Sequence, residues 1–303
     1  MAYQFDGRIR FSEVGPDRKL TLVSLVDYFQ DCSTFHSEAC GNGIDCLNAH
    51  GCVWMILFWQ IDILRLPLLG EHVYTKTWPY GFQAFYGFRN FAMVDDNGNY
   101  LAKANSVWAL IGQSNGRPVR VLQEVIDGYE LEPRLEMEYL PRKIRLPGEG
   151  RKMEPFRVGR QHLDTNHHVN NGQYIYMAEE FLPENFATGR LCVEYRQQAR
   201  LHDMIVPYVY RGGDAAATEN HSATGGIGER TADASCGAAE RTVGVSYDAA
   251  ERMADAPCGK AERTADVSCG TAAETAGASC GTLTVSLCNE AGAPYAIVKY
   301  EKA

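Results

Sequence analysis

Apolar residues recur every three or four positions at Leu22, Leu25, Val26, Phe29 and Cys32, a spacing that predicts one long helix with a buried face. The period then falls to two. Runs at 53–64, 71–78, 85–95 and 100–111 alternate polar with β-branched and aromatic residues and predict four strands. The order then repeats: a helical pattern over about 170–181 precedes strand-like runs at 191–198, 204–211, 282–288 and 295–300.

The halves can be overlaid. Ile61-Asp62-Ile63 falls on Val193-Glu194-Tyr195 and Glu71-His72-Val73 on Asp203-Met204-Ile205, both at an offset of 132. The turn at Gly98 corresponds to Gly292 at an offset of 194, so the second half carries 194 − 132 = 62 extra residues between its strands. They are visible as an eleven-residue repeat starting at Glu229, Glu240, Glu251 and Glu262. These copies hold Gly, Ser, Thr and Ala but almost no large apolar side chains, too little burial to offset chain entropy. The repeats therefore read as a largely disordered excursion.

One helix wrapped by an antiparallel sheet, twice in one chain, predicts an α+β double hotdog. Its two sheets would join edge to edge, which removes two exposed strand edges. The expected units are 1–140, a linker over 141–155, and 156–303 interrupted by the insertion at 212–281.

The net charge of −9 is uneven: residues 212–281 hold eleven acids and five bases, which leaves −3 for the rest. A near-neutral body argues against nucleic acid as a partner. No run of apolar residues is long enough to span a bilayer. The first residues show no leader pattern, so a cytoplasmic protein is expected. The ten cysteines include no Cys-x-x-Cys pair and read as reduced thiols. Cys32, His36 and Cys40 share a helical spacing, but without finger-type pairs they read as small core residues, and no metal is expected.

Chemistry concentrates in His162-Leu163-Asp164-Thr165-Asn166-His167-His168-Val169-Asn170-Asn171. Capping explains one or two of these polar residues but not Asp164, Asn166 and His168 in alternation. In an extended loop, spacing of two throws all three side chains to one side, just ahead of a helix N-terminus. That arrangement suits attack of water on a thioester. His168 can act as general base or hold the water, Asp164 can orient or activate it, and Asn166 with the helix amides can stabilise an oxyanion. Spacing alone does not divide these roles further.

The element Asp164-x-Asn166-x-His168-Val169-Asn170-Asn171, followed by Tyr174 and Glu194-Tyr195-Arg196, resembles the active-site signature of acyl-acyl carrier protein thioesterases. So do Trp59 to Pro67, Ala104 to Trp108 and Pro141 to Arg145 in the first half. Without an N-terminal extension in this sequence, the resemblance implies the bacterial group rather than the plastid enzymes. The resemblance implies a double hotdog whose first half shapes an acyl pocket and whose second half supplies Asp164, Asn166 and His168. It implies hydrolysis of fatty acyl thioesters in fatty acid biosynthesis, with no metal or organic cofactor. The implied partner is acyl carrier protein, with a homodimer as a possible assembly. Coenzyme A as thioester carrier, or a catalytically weak acyl-binding protein, are the alternatives.

The chain departs from the family where Glu-Tyr-Arg is commonly followed by a further residue and then Glu-Cys. Here those positions are Gln198 and Ala199. A cysteine nucleophile there is impossible, and an amide cannot take a proton. Two further features read equally well in two ways. Trp54, Trp59, Phe82, Phe85 and Tyr86 fit an acyl tunnel or an ordinary core. The basic residues Arg142, Lys143, Arg145, Arg151, Lys152, Arg157 and Arg160 fit a carrier-protein dock or a solvated face.

Overall fold

The computed structural model describes residues 2–164, 166–212 and 281–303. Strand β1 (Tyr3–Arg8) leads to helix α1 (Leu22–Ala39), the short α2 (Ile44–Ala49), and strands β2 (Cys52–Ile63), β3 (His72–Gln83), β4 (Tyr86–Val94) and β5 (Tyr100–Gly112). A short helix α3 (Gln123–Asp127) and a long irregular segment follow. The second half holds β6 (Arg151–Lys152), β7 (Phe156–Arg157), helix α4 (Asn171–Glu179), β8 (Thr188–Tyr195), β9 (Met204–Gly212), β10 (Thr282–Cys288) and β11 (Pro294–Lys302).

All eleven strands form one sheet in the order β1-β3-β4-β5-β2-β8-β11-β10-β9-β6, with β7 also on β9. Read outward from the middle, the two halves have the same order. They meet where β2 pairs antiparallel with β8, from Phe58↔Glu194 to Asp62↔Arg190. Arg190 crosses that seam to the carboxylate of Asp62, with Nε at 2.5 Å and Nη2 at 3.2 Å from its two oxygens. The expected edge-to-edge joining of two helix-wrapped sheets is this seam.

Helix α1 starts where Thr21 accepts the N–H of Ser24, a side-chain cap. Its predicted stripe of Leu22, Leu25, Val26, Phe29 and Cys32 is buried. Phe29 packs on Trp59 and Phe91 with ring centroids 6.1 and 5.3 Å away. Helix α4 lies against α1 at Gly172, where a Cβ would meet Val23 Cγ1 at 3.2 Å. One hydrophobic core runs through both halves.

Four strands differ from the sequence expectation. Strand β3 continues past Pro79, because a register shift between Pro79 and Gly81 absorbs the missing N–H. Strand β1 lies outside the predicted runs although its six residues alternate in exposure, whereas β6 and β7, of two residues each, are too short to show a period. The eleven-residue repeats lie outside the described residues; their flanks Gly212 and Thr282 are paired directly across β9 and β10. No helix among the described residues is long and apolar enough to cross a membrane.

Candidate active site

The loop ahead of α4 has a counterpart in the first half that carries none of its chemistry. There, Val14 bridges Leu20, Gly15 N–H donates to Lys19 O at 2.9 Å, and Arg18 N–H to Gly15 O at 2.9 Å. In the second half, Leu163 bridges Val169, Asp164 N–H donates to His168 O at 2.8 Å, and His167 N–H to Asp164 O at 3.1 Å. Arg18 and His167 occupy matching left-handed positions, at φ 63° and 61°. Each turn is tied alike to the segment leaving β2 or β8, Leu20 N–H to Pro67 O at 2.9 Å and Val169 N–H to Ala199 O at 2.9 Å. The backbone is therefore common to both halves. The side chains are not: Gly15, Asp17 and Lys19 stand where the second half has Asp164, Asn166 and His168.

This closed turn replaces the extended loop expected from the alternation. Asp164 Oδ1 accepts the N–H of Asn166 at 2.8 Å and of His168 at 3.3 Å, so the carboxylate braces the turn it belongs to. Asn166 and His167 are exposed, while Asp164 and His168 are half-buried. Helix α4 follows at once, capped where Asn170 Oδ1 accepts the N–H of Gly172 at 2.8 Å.

His168 faces Arg200 across an isolated antiparallel bridge. Burial, the Arg200 cation and His167 push its imidazole below the usual histidine range, against the opposing pull of Asp164. The neutral, proton-accepting form therefore prevails near neutral pH. His168 Nδ1 and Gln198 Oε1 are both buried without a hydrogen-bond partner among the described residues. The antiparallel pairing sets His168 opposite Arg200 and Val169 against Ala199, so Gln198 lies two residues along from the position that faces His168.

The tyrosines of the motif are structural. Tyr174 OH accepts the N–H of Ala199 at 2.9 Å, and Tyr195 OH donates to Asn171 O at 3.0 Å. They hold α4 against the chain leaving β8. Ala199 is fully buried, so the position where the family carries cysteine is sealed in the core here. Glu194 is spent on Ile144 N–H at 2.8 Å and on Arg196 Nε at 3.0 Å.

A cavity of about 270 Å³ opens beside the turn. Trp54, Phe82, Phe88 and Trp108 line it from the first half, and Asn166 reaches it from the second. Of the aromatics singled out in the sequence, Trp54 and Phe82 line this space, whereas Trp59 and Phe85 are buried in the core. Asp164 and His168 are not on its wall. The residue that sequence reasoning missed is Arg89, a buried cation on the same wall. Period-two counting places it on the face of β4 that carries Gly87 and the fully buried Phe91, which was the available signal.

Cys32 and His36 are also accounted for. Cys32 Sγ donates to Thr75 O at 3.5 Å, and His36 Nδ1 accepts from Arg89. Among the described residues no cluster of His, Cys, Asp and Glu has the makings of a metal site.

Two sequence profiles match the chain: the acyl-ACP thioesterase N-terminal domain over residues 2–129 and the acyl-ACP thioesterase C-terminal domain over residues 147–235. A chloroplast acyl-[acyl-carrier-protein] hydrolase of Cuphea viscosissima is 27% identical over 214 residues, 65% of this chain and 52% of the relative. An oleoyl-acyl carrier protein thioesterase of Arabidopsis thaliana is 24% identical over 75% of this chain and 68% of its own length. The chain spans about half the length of the Cuphea relatives it matches. In fold it is similar to an acyl-ACP thioesterase from Bacteroides thetaiotaomicron, with a TM-score of 0.71, 16% identity and coverage of 100% and 98% of the two chains. An oleoyl thioesterase from Lactobacillus plantarum aligns with a TM-score of 0.70 at 18% identity over 99% of this chain and 95% of its own. With both domain profiles in order along a double hotdog, the chain belongs to the acyl-ACP thioesterase family.

Proposed function

We propose that this chain hydrolyses fatty acyl thioesters carried on acyl carrier protein and releases the free fatty acid. The observation that carries the reading is that Asn166, on a loop of the second half, lines a cavity built by the first half, with Trp54, Phe82, Phe88 and Trp108 on its walls. Residues 1–140 then shape the acyl pocket, 156–303 supply the reacting groups, and 141–155 link them. The acyl chain lies between the aromatic walls with its thioester at the Asn166 end. Neutral His168 accepts the proton of the attacking water while Asp164 orients the imidazole and the water. The Asn166 amide donates to the oxygen that becomes negative. No cysteine nucleophile takes part, because Ala199 stands at that position.

The carrier is read from family membership and from charge. Arg145, Arg151, Lys152, Arg157 and Arg160 are exposed around the edge strands β6 and β7, where they suit an acidic carrier protein.

The test is release of fatty acid by the purified protein from one acyl chain presented on carrier protein and on coenzyme A. Faster turnover on carrier protein is expected, and His168→Ala should cost about 100-fold or more in rate. A preference for coenzyme A would move the reading to the other carrier. Tight acyl binding without hydrolysis would overturn it.

A further inference from the structure

An alkyl pocket has no use for a buried cation, yet Arg89 supplies one. The residue is 8% exposed and lines the same cavity as Asn166. Among the described residues none of its partners is a carboxylate. Its Nη1 donates to His36 Nδ1 at 2.9 Å and to Thr77 Oγ1 at 3.3 Å, and its guanidinium carbon lies 5.3 Å from the centre of the Tyr129 ring. His36 is no anion either: burial and Arg89 itself lower its pKa to about 4, so it stays neutral and its Nδ1 accepts from the guanidinium. A guanidinium offers five N–H donors and keeps its charge, so these neutral partners leave the charge uncompensated in a half-polar wall. Ser33, Ser37, Asn42 and Glu38 extend that wall, the exposed Glu38 carboxylate accepting from Ile44 N–H at 2.9 Å and not from Arg89, and Trp54, Phe88 and Trp108 form the apolar one. The cavity thus suits a ligand that is alkyl along its length and anionic at one point.

We propose that Arg89 makes this cavity a site for acyl chains that end in a carboxylate, so that the protein takes ω-carboxyacyl thioesters in preference to plain ones. This rests on the acyl-thioesterase reading and deepens it. Asn166 holds the thioester end, and the far carboxylate completes the ion pair that Arg89 lacks, by the planar two-point contact that guanidinium makes with carboxylate.

The test uses non-hydrolysable mimics of the acyl head, the N-methyl amide of dodecanoic acid and the mono-N-methyl amide of dodecanedioic acid, titrated calorimetrically against the full chain. Wild type is expected to bind the ω-carboxylate ligand about tenfold tighter or better, in line with a buried charge-assisted pair. Arg89→Met should lose that preference, and Arg89→Lys should keep part of it, which covers the case in which the methionine variant fails to fold. Equal binding of both ligands to wild type overturns the assignment, as does a preference that survives in Arg89→Met or is undiminished in Arg89→Lys. Hydrolysis of dodecanoyl and of 11-carboxyundecanoyl carrier protein is measured in parallel. Selective binding without any hydrolysis would overturn the thioesterase reading alone, whereas hydrolysis without selectivity would overturn the Arg89 assignment alone.

Discussion

Arg200 faces His168 across an antiparallel bridge, which keeps a permanent cation beside the imidazole of the candidate site. With the folded-state pKa below its ordinary value, the basic form of His168 survives to lower pH. The rate should therefore fall only as pH drops through that depressed value. Arg200→Gln removes one of the lowering causes, so the acid limb of kcat/KM against pH should move up. Asp164→Asn removes the opposing influence and should move it down. Unmoved limbs in both variants would take His168 out of the proton transfer.

Asp164 has two duties that substitution can separate. Its Oδ1 braces the turn through the N–H groups of Asn166 and His168. Asn can still accept those bonds, so Asp164→Asn should retain the wild-type Tm while losing about 100-fold in turnover. Asp164→Ala should lose the turnover and also about 1 kcal/mol of stability in denaturant unfolding. An active, stable Asn variant would leave the carboxylate with the bracing role only.

Gln198 is the conspicuous departure from the family. Its Oε1 is buried without a hydrogen-bond partner among the described residues, as is Nδ1 of His168. Gln198→Glu is expected to raise turnover, with a new titration in the pH–rate profile absent from wild type. Repulsion from Asp164 opposes this by favouring the protonated acid. An unchanged profile would mean that the new carboxyl stays protonated.

Gly87 keeps the cavity open. A Cβ there would sit 3.1 Å from Trp54 Cη2 and 3.4 Å from the Phe82 ring, both on the wall. Gly87→Val should push these rings into the space at a cost of about 1–3 kcal/mol in stability. Hydrolysis of long acyl chains should fall more than that of short ones. A uniform loss across an acyl-length series would place the acyl chain elsewhere.

The segment between Gly212 and Thr282 leaves and returns between directly paired residues. In the first half the equivalent strands are joined by Ala84 and Phe85 alone, between the paired Gln83 and Tyr86. Replacing 213–281 with Asn-Gly should therefore preserve the fold, changing unfolding free energy by no more than about 2 kcal/mol, since closure entropy grows slowly with loop length. A collapse of Tm or of hydrolysis would show that the repeats act on the body.

Much of this molecule is local and so can be read from the chain. The stripe from Leu22 to Cys32 specifies a buried helix face through a period that needs no distant partner. The duplication is also legible, and the hydrogen bonds bear out its offsets. Leu68 N–H bonds Glu71 and Arg200 N–H bonds Asp203, 132 residues later, while the turns closed by Gly98 and Gly292 differ by 194. The polar alternation of Asp164, Asn166 and His168 located the candidate site but misled on its shape. The turn depends on a left-handed His167, and nothing in a non-glycine residue announces that conformation. Only the tertiary structure joined Phe58 to Glu194, set Arg200 opposite His168 and brought Asn166 to the cavity wall that holds Arg89. Those contacts depend on which strand edges meet and how two helices pack, and no local period in either segment encodes its partner.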